Sequence, residues 1–555
     1  MQQTSPIAGR WLARALAISI LLYGLLLLAV WSNTQHRRQQ GVAIDTLQLL
    51  RSDVDRDLGD GSIVVNSTQL NASSTRTEVS SATMLKTFMD SERPSTLGIP
   101  KFTCLGWRQT GGCSPDGPRE PKNDASCSKN IKAGASGYCL LRNEETGEEV
   151  QAMRVNCSFL KEEIRFNCRQ AADFARVAPQ INALMNVKQQ EVAAQEGDVV
   201  LQSKNGVLMV MYPKLLSSVY STIRLLRSYN CTLPVELWYL ESEMGANPLN
   251  HSRLLQALVN EYGPISLRGI SEGDVGGFNT KVFALALSEL DQVLFLDADN
   301  APVKDPTYLF TTPEFVNTGA IFWPDFWHPV NTIFNVNKES LLWELVDTPY
   351  VDMFEQESGQ LLIDRRKAAV ALEIVHFFAL RKPDHFSRLK LLHGDKDLFR
   401  LAWLKSNTTF HMIHTPAAAA GMVKGKQFCG MTMVQHDPQG EVLFLHHNGK
   451  KLVGDEETSK TRVWTHLQSF VFPDNLASVN SNAAQRYEYM TTNYHVRIFG
   501  GGIFHGFPMC YGDNEMKSPY YTTTSWEDLP FKDLEDRLHK FAQEGGALEK
   551  ASENK

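Results

Sequence analysis

The chain has 555 residues, of which 43% are hydrophobic and 21% are charged, and its formal net charge is -7. This length and composition predict a folded protein of more than one domain, with enough apolar residues for a sizeable core. The mildly acidic charge disfavours nucleic-acid binding, because proteins that contact phosphate backbones carry a basic surface.

The N-terminal residues predict a membrane anchor. Ala15–Trp31 is an uncharged, leucine-rich run that is just long enough to span a bilayer. A cleaved signal peptide is the alternative, but the bulky Trp31 is a poor cleavage-site residue. Residues 1–14 are then a cytosolic tail, residues 15–31 a transmembrane signal anchor, and residues 32–99 a flexible stem rich in Ser, Thr, Asn and Gln. Basic residues lie on both sides of the run, so charge alone leaves the orientation open.

Sequons and cysteines favour a luminal chain. N-x-[ST] sequons begin at Asn66, Asn71, Asn156, Asn230, Asn250 and Asn407. Six of the nine cysteines are clustered: Cys104, Cys113, Cys127, Cys139, Cys157 and Cys168. An even cluster without paired C-x-x-C spacing predicts a disulfide module over residues 100–170 rather than a zinc site, with the pairing left open. Of the remaining Cys231, Cys429 and Cys510, one is expected to be free.

From about Asp198, short apolar runs alternate with helical segments of about a dozen residues. Strands are predicted at Gly206–Tyr212, Pro234–Leu240 and Ile265–Ile270, and helices at Ser217–Tyr229, His251–Tyr262 and Asn279–Leu290. The alternation predicts an α/β domain with a mainly parallel, nucleotide-binding sheet over residues 195–475. No G-x-G-x-x-G fingerprint is present, which disfavours a dinucleotide-dependent dehydrogenase.

The C-terminal part carries weaker signals. Thr461–Phe472 is predicted to be a last core helix, and residues 476–555 are predicted to form a C-terminal extension. The extension includes an amphipathic helix within Trp526–Gln543.

The most informative motif is a D-x-D at the end of an apolar strand, in the sequence VLFLDADN. Residues two apart in an extended chain share a face, so Asp297 and Asp299 can bind one hard cation. His446, which ends the apolar run VLFLH, is a candidate third ligand, and His447 is expected to face the other way. A set of oxygen ligands and an imidazole favours Mn²⁺ over Mg²⁺.

Several segments together resemble one enzyme family. They are GFNTKVFALALSELDQVLFLDADNAPVKDPTYLF, GAIFWPDFW, QESGQLLIDRRK, HGDKDLFRLAWL and MVQHDPQGEVLFLHHNGK, all between Gly206 and Lys450. In this order they resemble the Golgi α-mannosyltransferases of GT-A fold that branch fungal-type mannans through α-1,2 or α-1,3 linkages. The closing HHNGKK departs somewhat from the usual spacing of that family, so the third metal ligand stays open.

The resemblance implies a fold, an activity and a location. The fold is a Rossmann-like mixed α/β sheet flanked by helices, preceded here by the anchor, the stem and the disulfide module. The activity is metal-dependent, retaining transfer of mannose from GDP-mannose to a mannoside on a glycan or glycoprotein. The location is the Golgi membrane, in a single-pass type II orientation with a luminal catalytic domain. A retaining transferase that uses a UDP-sugar and a non-catalytic carbohydrate-binding protein are the alternatives.

The predicted site residues follow from these motifs. Lys281 is expected to face the donor diphosphate from the first turn of a helix. Asp325, beside Trp323 and Trp327, suits a sugar-hydroxyl acceptor with an aromatic wall. The predicted catalytic residues are Glu357, Gln360, Asp325 and Asp395, the predicted nucleotide-sugar ligands are Lys281, Asp297, Gly319 and Asp397, and the predicted metal ligands are Asp297, Asp299 and His446.

Overall fold

A computed structural model of the protein describes residues 99–553, except residues 160–163, 196–202, 272–275, 450, 456–461, 505–506, 508 and 517. The predicted cytosolic tail, the signal anchor and all but the last residue of the stem lie outside the described residues. Within the part of the chain that the structure describes, no helix combines the length and the apolar character needed to cross a membrane.

The described residues form three β-sheets with helices packed around them. The strands are β1 Phe102–Gln109, β2 Gly137–Asn143, β3 Glu149–Val155, β4 Asn205–Val210, β5 Val235–Leu240, β6 Ile265–Ile270, β7 Gln292–Leu296, β8 Asn300–Pro302, β9 Ala320–Pro324, β10 Gln356–Asp364, β11 His411–Met412, β12 Ala418–Lys424, β13 Gln427–His436, β14 Val442–His447, β15 His466–Phe470, β16 Arg497–Gly500, β17 Met509–Gly512 and β18 Tyr521–Ser525. The α-helices are α1 Ala171–Gln195, α2 Leu216–Ser228, α3 Glu241–Met244, α4 Arg253–Glu261, α5 Asn279–Leu287, α6 Pro313–Thr318, α7 Leu341–Val346, α8 Ala369–Leu380, α9 His385–Arg388, α10 Leu398–Ser406, α11 Ala483–Asn493 and α12 Leu534–Glu553.

The first sheet belongs to the disulfide-rich segment. Strands β1, β2 and β3 are antiparallel, and the bridges are Cys104–Cys127, Cys113–Cys157 and Cys139–Cys168. The predicted use of this cysteine cluster in disulfides is therefore confirmed, and the structure supplies the pairing. Trp107 is 1% exposed and meets Phe166 edge to face, so it is a core residue of the segment.

Helix α1 and strand β3 dock this segment onto the rest of the molecule. Asp173 of α1 accepts hydrogen bonds from Arg381 and contacts His385 Nε2 at 2.7 Å. Glu344 of α7 accepts the backbone N–H groups of residues 153 and 154 in β3, at 2.7 and 2.9 Å. The disulfide-rich segment thus has polar contacts with helices α7 and α9 and the residue that follows α8.

The second sheet has the strand order β11-β9-β10-β7-β4-β5-β6. Strands β4 to β7 pair in parallel, and β10 runs antiparallel to both β7 and β9. All six residues of β5 are buried, as expected for a central parallel strand covered on both faces. The C-terminal ends of β4, β7 and β9 and the N-terminal end of β10 therefore lie at one edge of the sheet. The predicted mixed sheet with flanking helices is confirmed.

The third sheet is antiparallel and joins the C-terminal part to the centre. Its path is β16-β17-β13-β12-β15-β18, and β14 pairs with β13 and with the short β8. The helix predicted at Thr461–Phe472 is wrong: a strand, β15, forms there because its backbone completes ladders with β12 and β18. Cys429 and Cys510 form a disulfide between β13 and β17, and Cys231 is a free, buried cysteine.

Candidate active site

The D-x-D motif lies at the C-terminal end of β7, where the four strand residues before it are buried. The Asp297 N–H donates to Gly359 O of β10 at 2.9 Å, which fixes the turn between β7 and β8. The Asp297 side chain is 29% exposed and that of Asp299 is 6% exposed. One carboxylate therefore faces the opening at the sheet edge and the other lies beneath the surface.

His446 reaches these carboxylates because β14 pairs with β8, with His446 opposite Asn300. Its Nε2 lies 3.4 Å from Asp299 Oδ1 and 3.9 Å from Asp297 Oδ2, and its Nδ1 lies 3.3 Å from Glu357 Oε1. Burial opposes the charged imidazolium, but Asp299 and Glu357 outweigh it and raise the pKa of His446 to about 10.

Gly359 leaves the space that the His446 ring occupies. A Cβ atom on Gly359 would lie 2.5 Å from His446 Nδ1, so only glycine leaves room for the ring.

The His447 side chain points to the opposite face, as predicted, and packs against the Trp464 ring with centroids 4.9 Å apart. Burial lowers the pKa of His447 to about 3. His447 is therefore a neutral core residue.

Glu357 lies at the N-terminal end of β10, and its side chain stays ionised. Its Oε1 accepts the Gly359 N–H at 2.6 Å. Burial opposes its ionisation, but His446 and this N–H prevail and lower the pKa of Glu357 to about 2. The side chain is 9% exposed, so a carboxylate with little conformational freedom lies beside the D-x-D.

Lys281 occupies the first turn of α5, as predicted, and is 5% exposed. Its Nζ lies 2.9 Å from Asp395 Oδ2 and 3.4 Å from Asp297 Oδ1, and it donates to Ser358 O at 2.8 Å. Burial opposes its charge, but Asp297 and Asp395 together raise the pKa of Lys281 above its usual range. Lys281 therefore links two of the predicted site carboxylates with a permanent positive charge.

Two further residues at this centre were not among the predicted ones. The Lys451 ammonium contacts Asp299 Oδ2 and donates to His447 O. Burial opposes ionisation of Asp299, but Lys451 and His446 lower its pKa well below the usual range. Tyr212 follows β4, and burial together with the charge of Asp297 raises the pKa of its phenol. Lys451 follows the HHNGK run directly, but no local pattern distinguishes it from other loop lysines.

The donor set fits a divalent cation. Asp297, Asp299 and His446 supply hard carboxylate oxygens and an imidazole, the ligand types that Mn²⁺ accepts. His446 Nε2 lies 3.4 Å from Asp299 Oδ1 and 3.9 Å from Asp297 Oδ2, so these three side chains would hold the cation between them. Among the described residues no group of three such side chains already has the geometry of a metal site. Metal binding would displace Lys451 from Asp299 and release the proton of His446.

A second charged cluster adjoins the first. Lys396 Nζ lies 2.6 Å from Asp325 Oδ2 and 3.0 Å from Glu355 Oε2, and all three residues are buried. Burial raises the pKa of Asp325 to about 7, although Lys396 opposes the shift. Asp325 follows the C-terminal end of β9, and its N–H donates to Glu355 O at 2.8 Å, so it lies at the same sheet edge as Asp297.

The prediction that Trp323 and Trp327 form an aromatic wall beside Asp325 is wrong. Trp323 is fully buried and donates its Nε1–H to His436 O, and Trp327 is only 5% exposed. Trp323 lies on β9, whose residues are all buried, and Trp327 packs in a separate hydrophobic cluster. Neither indole therefore presents an open face at this edge.

One predicted catalytic residue, Gln360, and two predicted nucleotide-sugar ligands, Asp397 and Gly319, have structural contacts. Gln360 is fully buried and accepts a hydrogen bond from Asn300. Asp397 is also fully buried, accepts the Gln356 N–H and pairs with Arg400 at 2.6 Å. Gly319 ends α6 with a φ of +76° at the N-terminal end of β9, the opposite end from Asp325. Asp397 and Gly319 therefore stabilise the framework, while Gln360 buttresses the turn after the D-x-D.

Comparisons with known proteins agree with the motifs. Residues 204–437 match the family model described as “Mannosyltransferase putative”. The alpha-1,2-mannosyltransferase MNN21 of Candida albicans is 25% identical over 44% of this chain and 44% of its own length. The alpha-1,2-mannosyltransferase MNN2 of Saccharomyces cerevisiae is 26% identical over 42% of this chain and 45% of its own length. The matched part thus spans less than half the length of these relatives.

Among solved structures, the galactosyltransferase LgtC in complex with donor and acceptor sugar analogues aligns with 37% of this chain and 72% of its own, at 13% identity and a TM-score of 0.27. The segment matched by the family model includes Lys281, the D-x-D, Glu357 and Asp395. Over this segment the chain is similar to the mannosyltransferase family.

Proposed function

We propose that this protein is a metal-dependent glycosyltransferase of GT-A fold that transfers mannose from GDP-mannose to a mannoside on a glycan or glycoprotein. The observation that carries the proposal is the joining of Asp297, Asp299, His446 and Lys281 at one sheet edge, within or beside the family-matched segment. Ligands of α/β sheets bind at the C-terminal ends of the strands, where this cluster lies.

The residues have complementary charges for such a donor. A divalent cation held by Asp297, Asp299 and His446 would neutralise charge on the diphosphate leaving group. Lys281 adds a buried ammonium beside the same carboxylates, and the exposed Lys451 adds a second ammonium that contacts Asp299. The centre thus combines acidic metal ligands with basic phosphate ligands.

Transfer breaks the bond between C1 of the sugar and the diphosphate oxygen, and the electron pair leaves with the diphosphate. An oxygen of the acceptor forms the new bond to C1, and its proton passes to the departing diphosphate. Glu357 is ionised, so it can stabilise the positive charge that develops at C1. Retention of the α configuration is part of the proposal and rests on the family resemblance.

The proposed compartment is the Golgi lumen, with the N-terminal run as a type II anchor. Four disulfides in the described residues fit an oxidising compartment.

The test measures nucleotide released by the full-length protein from a panel of GDP- and UDP-sugars, with Mn²⁺ or with a chelator. The variant is Asp299→Asn, which keeps the shape of the side chain and removes its charge. The matched control is Glu488→Gln, an equally small charge change on the exposed face of α11. We expect Mn²⁺-dependent release from GDP-mannose that falls at least a hundredfold in Asp299→Asn and persists in the control.

Each alternative predicts a different result. Release from a UDP-sugar alone would replace the proposed donor and keep the reaction class. Calorimetric binding of a mannoside without turnover of any donor would favour a carbohydrate-binding protein and refute the proposal.

A further inference from the structure

Three aromatic rings lie in a row beside the charged centre. Phe278, which immediately precedes α5, meets His393 edge to face with centroids 6.1 Å apart. His393 stacks on Phe334 with centroids 5.4 Å apart and an interplanar angle of 17°. The three residues come from separate parts of the chain, so the row is a product of the fold. They are named here the aromatic row.

The aromatic row is continuous with the site. Gly394 has a φ of +59°, and a Cβ atom there would lie 3.0 Å from the Phe278 ring, so this ring rests on the backbone directly before Asp395. Lys396 Nζ lies 4.3 Å from the centre of the Phe334 ring while it holds Asp325. One short segment, residues 393–396, therefore connects the rings to both carboxylate clusters.

Phe278 gives the aromatic row an exposed face, and the imidazole within the row carries no charge near neutral pH. Phe278 is 49% exposed, whereas Trp323 and Trp327 are buried. Burial, aided by the positive charge of Lys396, lowers the pKa of His393, so this imidazole is neutral near pH 7. Lys396 itself is paired with Asp325 and Glu355. The surface beside the rings thus offers buried acidic side chains and one exposed aromatic face, and Lys396 is already paired with two carboxylates.

Pyranosides bind to such surfaces because their C–H faces pack on aromatic rings while their hydroxyls donate to carboxylates. We propose that the aromatic row is the acceptor platform, on which a neutral mannoside stacks against the exposed face of Phe278 beside the segment that leads to Asp395. The nucleotide end of the donor then lies on the Asp297, Asp299 and Lys281 side. This inference rests on the proposed function, whose donor it complements.

The test uses the full-length protein and methyl α-mannopyranoside as the acceptor probe. Phe278→Leu keeps apolar volume and removes the aromatic face, and Phe278→Tyr keeps the face. Leu287→Ala is the matched control, because Leu287 is 56% exposed at the other end of the same helix. Binding is followed by saturation-transfer NMR without donor, and KM is measured separately for the methyl mannoside and for GDP-mannose.

We expect Phe278→Leu to weaken binding of the methyl mannoside about tenfold and to raise its KM by a similar factor relative to the KM for GDP-mannose. Phe278→Tyr should restore both, and Leu287→Ala should resemble the wild type. Equal affinity in Phe278→Leu and the wild type would overturn the acceptor platform while leaving the transferase proposal intact. Absence of methyl mannoside binding to the wild-type protein would also overturn it. Binding that depends on Phe278 without turnover of any donor would support the platform and refute the transferase.

Discussion

Glu344 is predicted to make the docking of the disulfide-rich segment depend on pH. This buried carboxylate accepts two backbone N–H groups of β3, from Met153 and Arg154. Burial raises its pKa from 4.5 to about 7 against the opposing effect of those N–H groups. Because the folded protein then holds the proton more tightly, docking is strongest below pH 4.5 and weakens as the pH rises to about 7.

The size of the effect follows from the shift. A move of the pKa from 4.5 to about 7 corresponds to about 3 kcal/mol, or a change of roughly a few hundredfold in the opening equilibrium. Native-state hydrogen exchange measured by mass spectrometry reports it directly. After correction for intrinsic exchange rates, the protection factors of the Met153 and Arg154 amides should fall by up to this factor between pH 5 and pH 8.

Two variants make this test decisive. Glu344→Gln cannot ionise, and its single acceptor oxygen replaces only one of the two hydrogen bonds. Its protection should be about tenfold lower at pH 5 and nearly independent of pH. Glu535→Gln is the control, since Glu535 is a second buried carboxylate whose pKa is raised to about 7, and it holds Val463 instead. An equal pH dependence at Met153 in Glu344→Gln and the wild type would refute the reasoning.

Three more outcomes are expected. Asp397→Ala should lower the free energy of unfolding in denaturant by about 3–5 kcal/mol, because it leaves the buried Arg400 guanidinium without its counter-charge. Unchanged stability together with weaker donor binding would instead make Asp397 a ligand. Replacing the Cys429–Cys510 disulfide with two serines should cost about 4 kcal/mol, because the bridge closes a long loop, and calorimetry under non-reducing conditions checks this. His447→Phe should leave Mn²⁺ affinity, measured by electron paramagnetic resonance, within about twofold of the wild type, because the ring lies on the face away from the carboxylates; a large loss would make His447 a ligand.

Local sequence patterns predicted the central elements well. The strands at Ile265–Ile270 and before Asp297 were found from apolar runs, and Lys281 was placed correctly in the first turn of α5. These elements have strong local periodicity that agrees with their final burial. The region Thr461–Phe472 was mistaken for a helix, because its strand conformation depends on partners distant in sequence.

The site was predictable only in part. The D-x-D and His446 can be recognised in the sequence because each lies at the end of an apolar run. Lys451 and the aromatic row cannot be recognised in this way, because no local pattern indicates which loop lysine or phenylalanine faces a cleft. The reverse error affected Asp397, whose acidic side chain in a motif suggested a ligand although the fold pairs it with Arg400.

The α/β class, the disulfide chemistry and the acidic pair could all be read from residue type and short-range spacing. Three features could not: the contact of His446 with Asp299, the core positions of Trp323 and Trp327, and the meeting of Phe278, His393 and Phe334. These contacts are set by strand register and by packing between residues far apart in the chain, which local spacing does not encode.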